Sequence, residues 1–457
     1  MRKIFTKLVC GLLCAFVSVG LFSCDEEPIN SGNTPPQETP SVDTNRVTED
    51  GFTYEKVGES YTVIDYMGRI EEMVVPVSFR DLPVTAIGDE AFSDSYFSSV
   101  IIPEGILHIG NFAFKSCLRL NKASIPNSVK SIGESVFEGC SWLEYNQDGN
   151  GKYLGNEENP YLYLAGVLSK TISDININAN CKYIGAYAFS SCDKLTSVAI
   201  PNGIVSVGFN AFSSCKALRL VQIPTSVTEL HTGAFRYCGE LTEINLPSSL
   251  THIGAKALGY CSKLTEIILP QSVVSLGIGV FEDCKQLESV TLPKNLTAIP
   301  DSLFYRCSAL QTVAFGDKIQ SIGRDAFSSC TGLKSIVIPD TVTFIDRYAF
   351  ADCNALQSVT LSKNITAISD YAFFYCNSLT EIVLFDGVTE IGDFAFANSV
   401  ELTRIVIPVT VTSVGASAFR NCTGLAKVEY NGTASTWEEI EIKEYNQALH
   451  TATKEYK

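Results

Sequence analysis

An Ala-Phe element recurs along this 457-residue chain, its Phe (once Leu) falling at 92, 114, 137, 189, 212, 235, 258, 281, 304, 327, 350, 373, 396 and 419. From Phe189 to Phe419 every interval is 23 residues. A fixed period of this length restricts the chain to a stack of similar coils, each touching only its neighbours. Two clean copies are LTSVAIPNGIVSVGFNAFSSCKA (195–217) and LKSIVIPDTVTFIDRYAFADCNA (333–355). The shared pattern is Leu-x-x-Val/Ile-x-Ile/Leu-Pro, then x-x-Val-x-x-Ile-Gly, then x-x-Ala-Phe-x-x-Cys.

Each part of the copy predicts a local structure. Val198 and Ile200 alternate with period two, so a short strand points both side chains to one face. Pro201 removes a backbone donor and stops that strand. Ile204 and Val207 begin a second extended segment. A Gly follows in ten of fourteen copies, as at Gly208, consistent with a turn that favours positive φ; His231, Pro300, Asp346 and Ser369 replace it elsewhere. The Ala-Phe-x-x-Cys part is too short for a full helix and predicts a single helical turn. One copy cannot offset the entropy of ordering its own 23 residues, so neighbours must supply backbone pairing and core contacts. The expected fold is a solenoid of about fourteen repeats with short parallel strands, spanning roughly 65 Å at one strand spacing per coil.

The N-terminus reads as an address. Arg2, Lys3 and Lys7 precede an apolar run at 8–22, short for a membrane span and suited to a signal segment. It ends in Leu21-Phe22-Ser23-Cys24, which resembles the lipobox of bacterial lipoproteins. That resemblance implies a signal peptide at 1–23 and a lipid anchor on Cys24. Asp25-Glu26-Glu27 resembles an acidic signal that directs some lipoproteins to the outer surface of the outer membrane. Residues 24–50, with Pro28, Pro35, Pro36 and Pro40 among polar residues, read as a disordered tether. Cleavage before Cys24 would remove three bases and no acid, taking the net charge from −16 to about −19.

The repeat itself resembles the BspA-like leucine-rich repeats of bacterial surface proteins. The likeness rests on the 23-residue period, the Leu-x-x-Ile-x-Ile-Pro strands, the Ile-Gly turns and the Ala-Phe-x-x-Cys ending over residues 83–430. Residues 51–82 resemble that family's N-terminal cap, and VEYNGTASTWEEI opens a C-terminal cap at 431–457, with Trp437 covering the last apolar layer. One interruption breaks the period: Cys140 and Cys192 are 52 residues apart. The insertion, at about 143–174, contains YLGNEENPYLYL and predicts a hairpin leaving the edge of the solenoid.

Sixteen cysteines look at first like a disulfide scaffold, yet twelve of them occupy one slot of the repeat, with Ser95 and Ser399 standing in twice. In-register side chains point the same way and keep their Cβ atoms too far apart for a bond, so buried free thiols are expected. No metal site is expected, because the ladder lacks close Cys/His spacing. Four histidines occupy unrelated slots or the tail, and no hydrolase, metalloprotease or phosphate-loop motif occurs. No catalytic residue and no cofactor is therefore assigned. The acidic balance, without any Lys/Arg-rich stretch, excludes nucleic acid as an expected partner and leaves the lipid as the only expected contact with membrane.

Function should then sit on the outward positions of the strands. Ala314, Val337, Val383 and Val406 form an apolar set there and are the candidate binding face. The family resemblance implies adhesion: a cell-surface lipoprotein binding matrix-like extracellular proteins or other cell surfaces, exposed on the outer membrane. The alternative is a glycan-capture component of a surface nutrient-uptake system, which would need exposed Trp/Tyr platforms. A second aromatic set, Tyr187, Tyr348, Tyr371 and Phe394, precedes Ala-Phe and suits satellite packing better than a platform.

Overall fold

The computed structural model describes residues 45–457; the expected signal segment, Cys24 and most of the tether lie outside the described residues. Residues 45–457 form a solenoid of stacked coils, about 17 in all. The fourteen repeats are extended by an isolated bridge, Ser124 to Gly155, and by the parallel strands Lys427–Asn431 and Thr453–Tyr456. Each coil carries a three-residue strand, such as Ser197–Ala199, and a two-residue strand, such as Ser206–Val207. Within each run of coils these pair in parallel and in register with the next coil, as Val198 opposes Val221 and Val207 opposes Leu230. The ladder of three-residue strands is interrupted between Glu243–Asn245 and Glu266–Ile268 and between Thr312–Ala314 and Ser335–Val337. The 23-residue period sets this register, since a one-residue slip would turn the buried face outward.

The Ala-Phe corner is tighter than a regular helical turn. The N–H groups of Tyr187, Phe189 and Ser191 donate to the carbonyls of Phe209, Ala211 and Ser213 in the next coil at 2.9, 2.7 and 2.8 Å. Between them, Ser190 and Cys192 donate within the coil to Tyr187 and Phe189 at 3.1 and 3.0 Å. Every second N–H therefore points along the stack, which a helix cannot arrange. Tyr187 and Ser191 adopt left-handed φ of 56° and 61° to do so. Each costs about 1–2 kcal/mol for a residue with a Cβ, offset by the inter-coil bonds it permits.

The glycine slot has a different cause from the one its sequence suggests. Positive φ falls two residues later, on Tyr187, Asn210 or Lys256, rather than on Gly185, Gly208 or Gly254. What the slot requires is the absence of a side chain. A Cβ on Gly254 would lie 2.4 Å from the Thr232 nitrogen, and one on Gly277 would lie 2.3 Å from the Ala255 nitrogen. Neighbouring backbones approach here more closely than any Cβ allows.

The insertion also departs from expectation. Instead of leaving the edge, it forms an antiparallel meander, Asn146–Asp148, Gly151–Leu154 and Tyr163–Val167, whose last strand pairs in parallel with Tyr183–Ile184 of the following coil. Its alternation sends side chains to both sides. Tyr153 and Leu164 enter an apolar cluster that continues to Ala452, whereas Leu154 and Tyr163 enter one that begins at Phe52. The insertion is thus a wall between two cores, buried on both faces. The N-terminal segment is built alike: Arg46–Glu49, Phe52–Val57 and Ser60–Tyr66 form an antiparallel meander, and its last strand pairs in parallel with Leu82–Ile87. At the other end Trp437 packs against the core and meets Tyr430 edge-on at 5.2 Å.

Candidate functional site

The thirteen cysteines among the described residues are all buried and free. Their column has a polar logic. Cys215, Cys238 and Cys261 each donate their Sγ–H to the carbonyl of Phe189, Phe212 and Phe235 in the preceding coil, at 3.2, 3.2 and 3.3 Å. The pattern continues to Cys422, which donates to Phe396 at 3.1 Å. A thiol is small enough for the packed corner and supplies a weak donor to a carbonyl that would otherwise keep one lone pair unused. Burial raises most of these thiols: Cys215 and Cys353 to about 12, and Cys238 and Cys307 well above their ordinary range, with neighbouring cysteines adding to the rise at Cys215, Cys238 and Cys307. Cys140 is lowered by its hydrogen bond with Cys117. The raised thiols are held protonated, which disfavours the thiolate that attack or metal ligation needs. Among the described residues no His/Cys/Asp/Glu group could hold a metal ion.

The strand face carries the candidate positions. Ala314 and Val337 are exposed, Val337 by 67%, and Val383 is half-buried. Val406 is not part of an open patch, being only 6% exposed. Arg404, two residues before it on the same face, reaches across to Glu429, which stands in register with Val406 in the next coil. The bridge is bidentate, Nε to Oε1 at 2.8 Å and Nη2 to Oε2 at 2.9 Å, and Lys427 adds a third contact at 2.8 Å. These partners hold the Glu429 carboxyl down at about 2. The C-terminal end of the face is therefore polar and self-paired. The most exposed apolar side chain of the strand face is Ile268, at 85%, which lies mid-array in the same column as Val337. Sequence reasoning passed over it because its neighbours Asn245 and Thr291 are polar.

The second aromatic set stacks on itself. Tyr348 lies 4.6 Å from Tyr371, and Tyr371 lies 4.8 Å from Phe394, at interplanar angles of 18° and 9°. Both ring faces of Tyr371 are used in this stack. Tyr187 stands apart, edge-on to Phe209 at 5.3 Å.

The model of the BspA type leucine rich repeat region matches residues 72–156, 168–282, 229–357 and 343–444. This chain belongs to the BspA-type leucine-rich repeat family. The matched segments leave out 157–167, inside the wall, where the BspA-type period is lost. Solved structures similar to it include a leucine-rich repeat protein from Bacteroides ovatus, 26% identical over 90% of this chain and 99% of that one, with a TM-score of 0.48. A leucine rich cell surface protein from Faecalibacterium prausnitzii is 28% identical over 87% and 97%, with a TM-score of 0.38. The pneumococcal vaccine antigen PcpA is 16% identical over 90% and 93%, with a TM-score of 0.36. No curated protein matches the sequence. Among the described residues of this BspA-type chain, no helix is long and apolar enough to cross a membrane.

Proposed function

We propose that this protein is a bacterial surface lipoprotein, anchored in the outer membrane through Cys24, whose strand face binds extracellular proteins without catalysis. The observation that carries this reading is the pair Ile268 and Val337, β-branched side chains standing open to solvent on the outward face of the parallel strands Glu266–Ile268 and Ser335–Val337. Isolated exposed apolar residues are ordinary, but on the outward face of stacked strands they are available to a partner without rearrangement. The family membership and the described cell-surface location of the Faecalibacterium relative agree with such a role.

The test is capture of purified extracellular-matrix proteins by the full chain. Ile268→Glu and Val337→Glu should each weaken capture by roughly tenfold, the scale of a central contact. Capture unchanged in the double variant would remove the strand face from consideration. Two further measurements address the anchor. Cys24→Ala should abolish incorporation of a labelled fatty acid, and protease added to intact cells should digest the repeat array.

A further inference from the structure

One column of the coil changes its composition sharply along the array. The backbone rung Glu71–Ser98–Asn121–Glu144 ties successive coils through N–H to carbonyl bonds of 2.7, 2.8 and 2.8 Å. Two residues before each member of that rung stand Arg69, Tyr96, Arg119 and Trp142, all exposed. Guanidinium and aromatic ring alternate, one per coil. Beyond the wall the same column reads Lys194, Ala217, Glu240, Lys263 and Gln286. Tyr96 is 60% exposed and Trp142 74%. Arg69, Ile70, Glu71, Tyr96 and Arg119 line an open cleft of about 370 Å³.

Arg69 and Arg119 make no ion pair among the described residues, in a chain with 50 acidic against 34 basic side chains. Internal partners are abundant, yet these two guanidinium groups face solvent. We propose that the column Arg69–Tyr96–Arg119–Trp142 binds a linear polysaccharide that carries one carboxylate in each disaccharide. The spacing selects the ligand. Coils are about 4.8 Å apart, so the two Arg, and likewise the two rings, are separated by roughly 10 Å. A linear polysaccharide advances by about one coil step per sugar, which brings a carboxylate to each Arg and the intervening sugar to each ring. Arg forks match carboxylates bidentately, and Glu71 at the cleft can accept hydroxyl hydrogen bonds.

An extended peptide laid along the column would repeat its side chains on one face every ~6.8 Å and fall out of step. A nucleic acid would bring a denser row of negative charge than two Arg beside Glu71 and Glu72 can balance.

The test uses the full chain and three polymers: hyaluronan, with its strict alternation of glucuronate and N-acetylglucosamine; polygalacturonate, with a carboxylate on every sugar; and neutral dextran. Affinity electrophoresis and titration calorimetry should show hyaluronan bound most tightly and dextran not at all. The double variant Arg69→Ala/Arg119→Ala should weaken hyaluronan binding by about tenfold or more, as expected for lost charge-assisted bonds. Tyr96→Ala and Trp142→Ala should weaken it several-fold while leaving its salt dependence unchanged. Lys263→Ala, in the same column beyond the wall, should have no effect. All four column side chains are exposed, so unchanged thermal melts would show that folding is intact. Affinity ordered by charge density alone, with polygalacturonate ahead, would overturn the proposal, as would a double variant that binds like the parent or no retention of hyaluronan. Val337→Glu should leave hyaluronan binding intact, which separates this column from the protein-binding face.

Discussion

In the coils before the wall, Phe92, Phe114 and Phe137 stack at 5.1 and 5.4 Å; in those after it, Phe327, Phe350 and Phe373 stack at 5.1 and 5.3 Å. The interiors are interchangeable, but the corners are not. The early coils present Arg69, Tyr96, Arg119 and Trp142, whereas the later ones present Lys194, Ala217, Glu240, Lys263 and Gln286, without an aromatic ring or Arg and with Lys263 bound to Glu240 at 2.8 Å. A stacked coil fixes every inward slot through its neighbours and leaves the outward slots free. Function in such a molecule is therefore found by comparing outward columns between regions that share one core.

The wall is the place to break this comparison. Tyr153→Ala opens a cavity in the later core and should cost about 3–5 kcal/mol, whereas Leu154→Ala, on the opposite face, should cost the earlier core about 2–5 kcal/mol. The chain has two Trp, Trp142 before the wall and Trp437 after it. Urea unfolding followed by each in turn, with the other changed to Phe, should show the loss on its own side; equal losses on both sides would merge the two regions into one unit. The glycine slot offers a smaller effect. Gly254→Ala should cost about 1–3 kcal/mol through overpacking against the Thr232 backbone. Gly259→Ala, whose nearest neighbour is at 3.4 Å, should stay close to the parent.

The thiols sharpen the contrast further. Two lie before the wall and eleven after it. Burial raises the folded values of those after the wall above the ordinary 9.0, to about 12 for Cys215 and Cys353, whereas Cys140 before it is lowered by its hydrogen bond with Cys117, so the later coils prefer the protonated form. Their contribution is complete below about pH 9 and is lost as pH rises toward 12. Thermal melts should therefore fall on the alkaline side, first and furthest in the signal of Trp437. The smallest effect is a gain. Ser399 fills the cysteine slot, but its hydroxyl is buried without a partner. The longer C–S bond of a cysteine reaches the preceding carbonyl in neighbouring coils, so Ser399→Cys should raise stability by about 0.5–1.5 kcal/mol.

Much of this was legible in the sequence. Leu195, Val198, Ile200, Phe189 and Cys192 are buried where the period places them, because a slot copied every 23 residues can only stack on itself. The insertion was not legible in the same way. YLGNEENPYLYL has the alternation and turn residues of a hairpin, and alternation states which side chains share a face without stating what covers each face. Only the second core beyond it makes both faces buried. The column Arg69–Tyr96–Arg119–Trp142 was hidden by irregular spacing, since Phe92 to Phe114 is one residue short of the period. Aligning these coils by the backbone rung, rather than by Ala-Phe, exposes it. Val406 was misjudged because a column read from sequence cannot show that Arg404 turns toward Glu429.

By itself the sequence determined the coil, its register and the inward slots, since repetition forces identical neighbours to satisfy one another. The tertiary structure decided what depends on groups far apart in the chain. It placed the glycines at backbone contacts instead of left-handed turns, pointed each thiol at the carbonyl of the coil before it, and set the insertion between two cores. It also brought Arg and aromatic residues from four coils into one exposed line. Each of these is a distance between backbones or side chains of different coils, and local pattern carries no such distance.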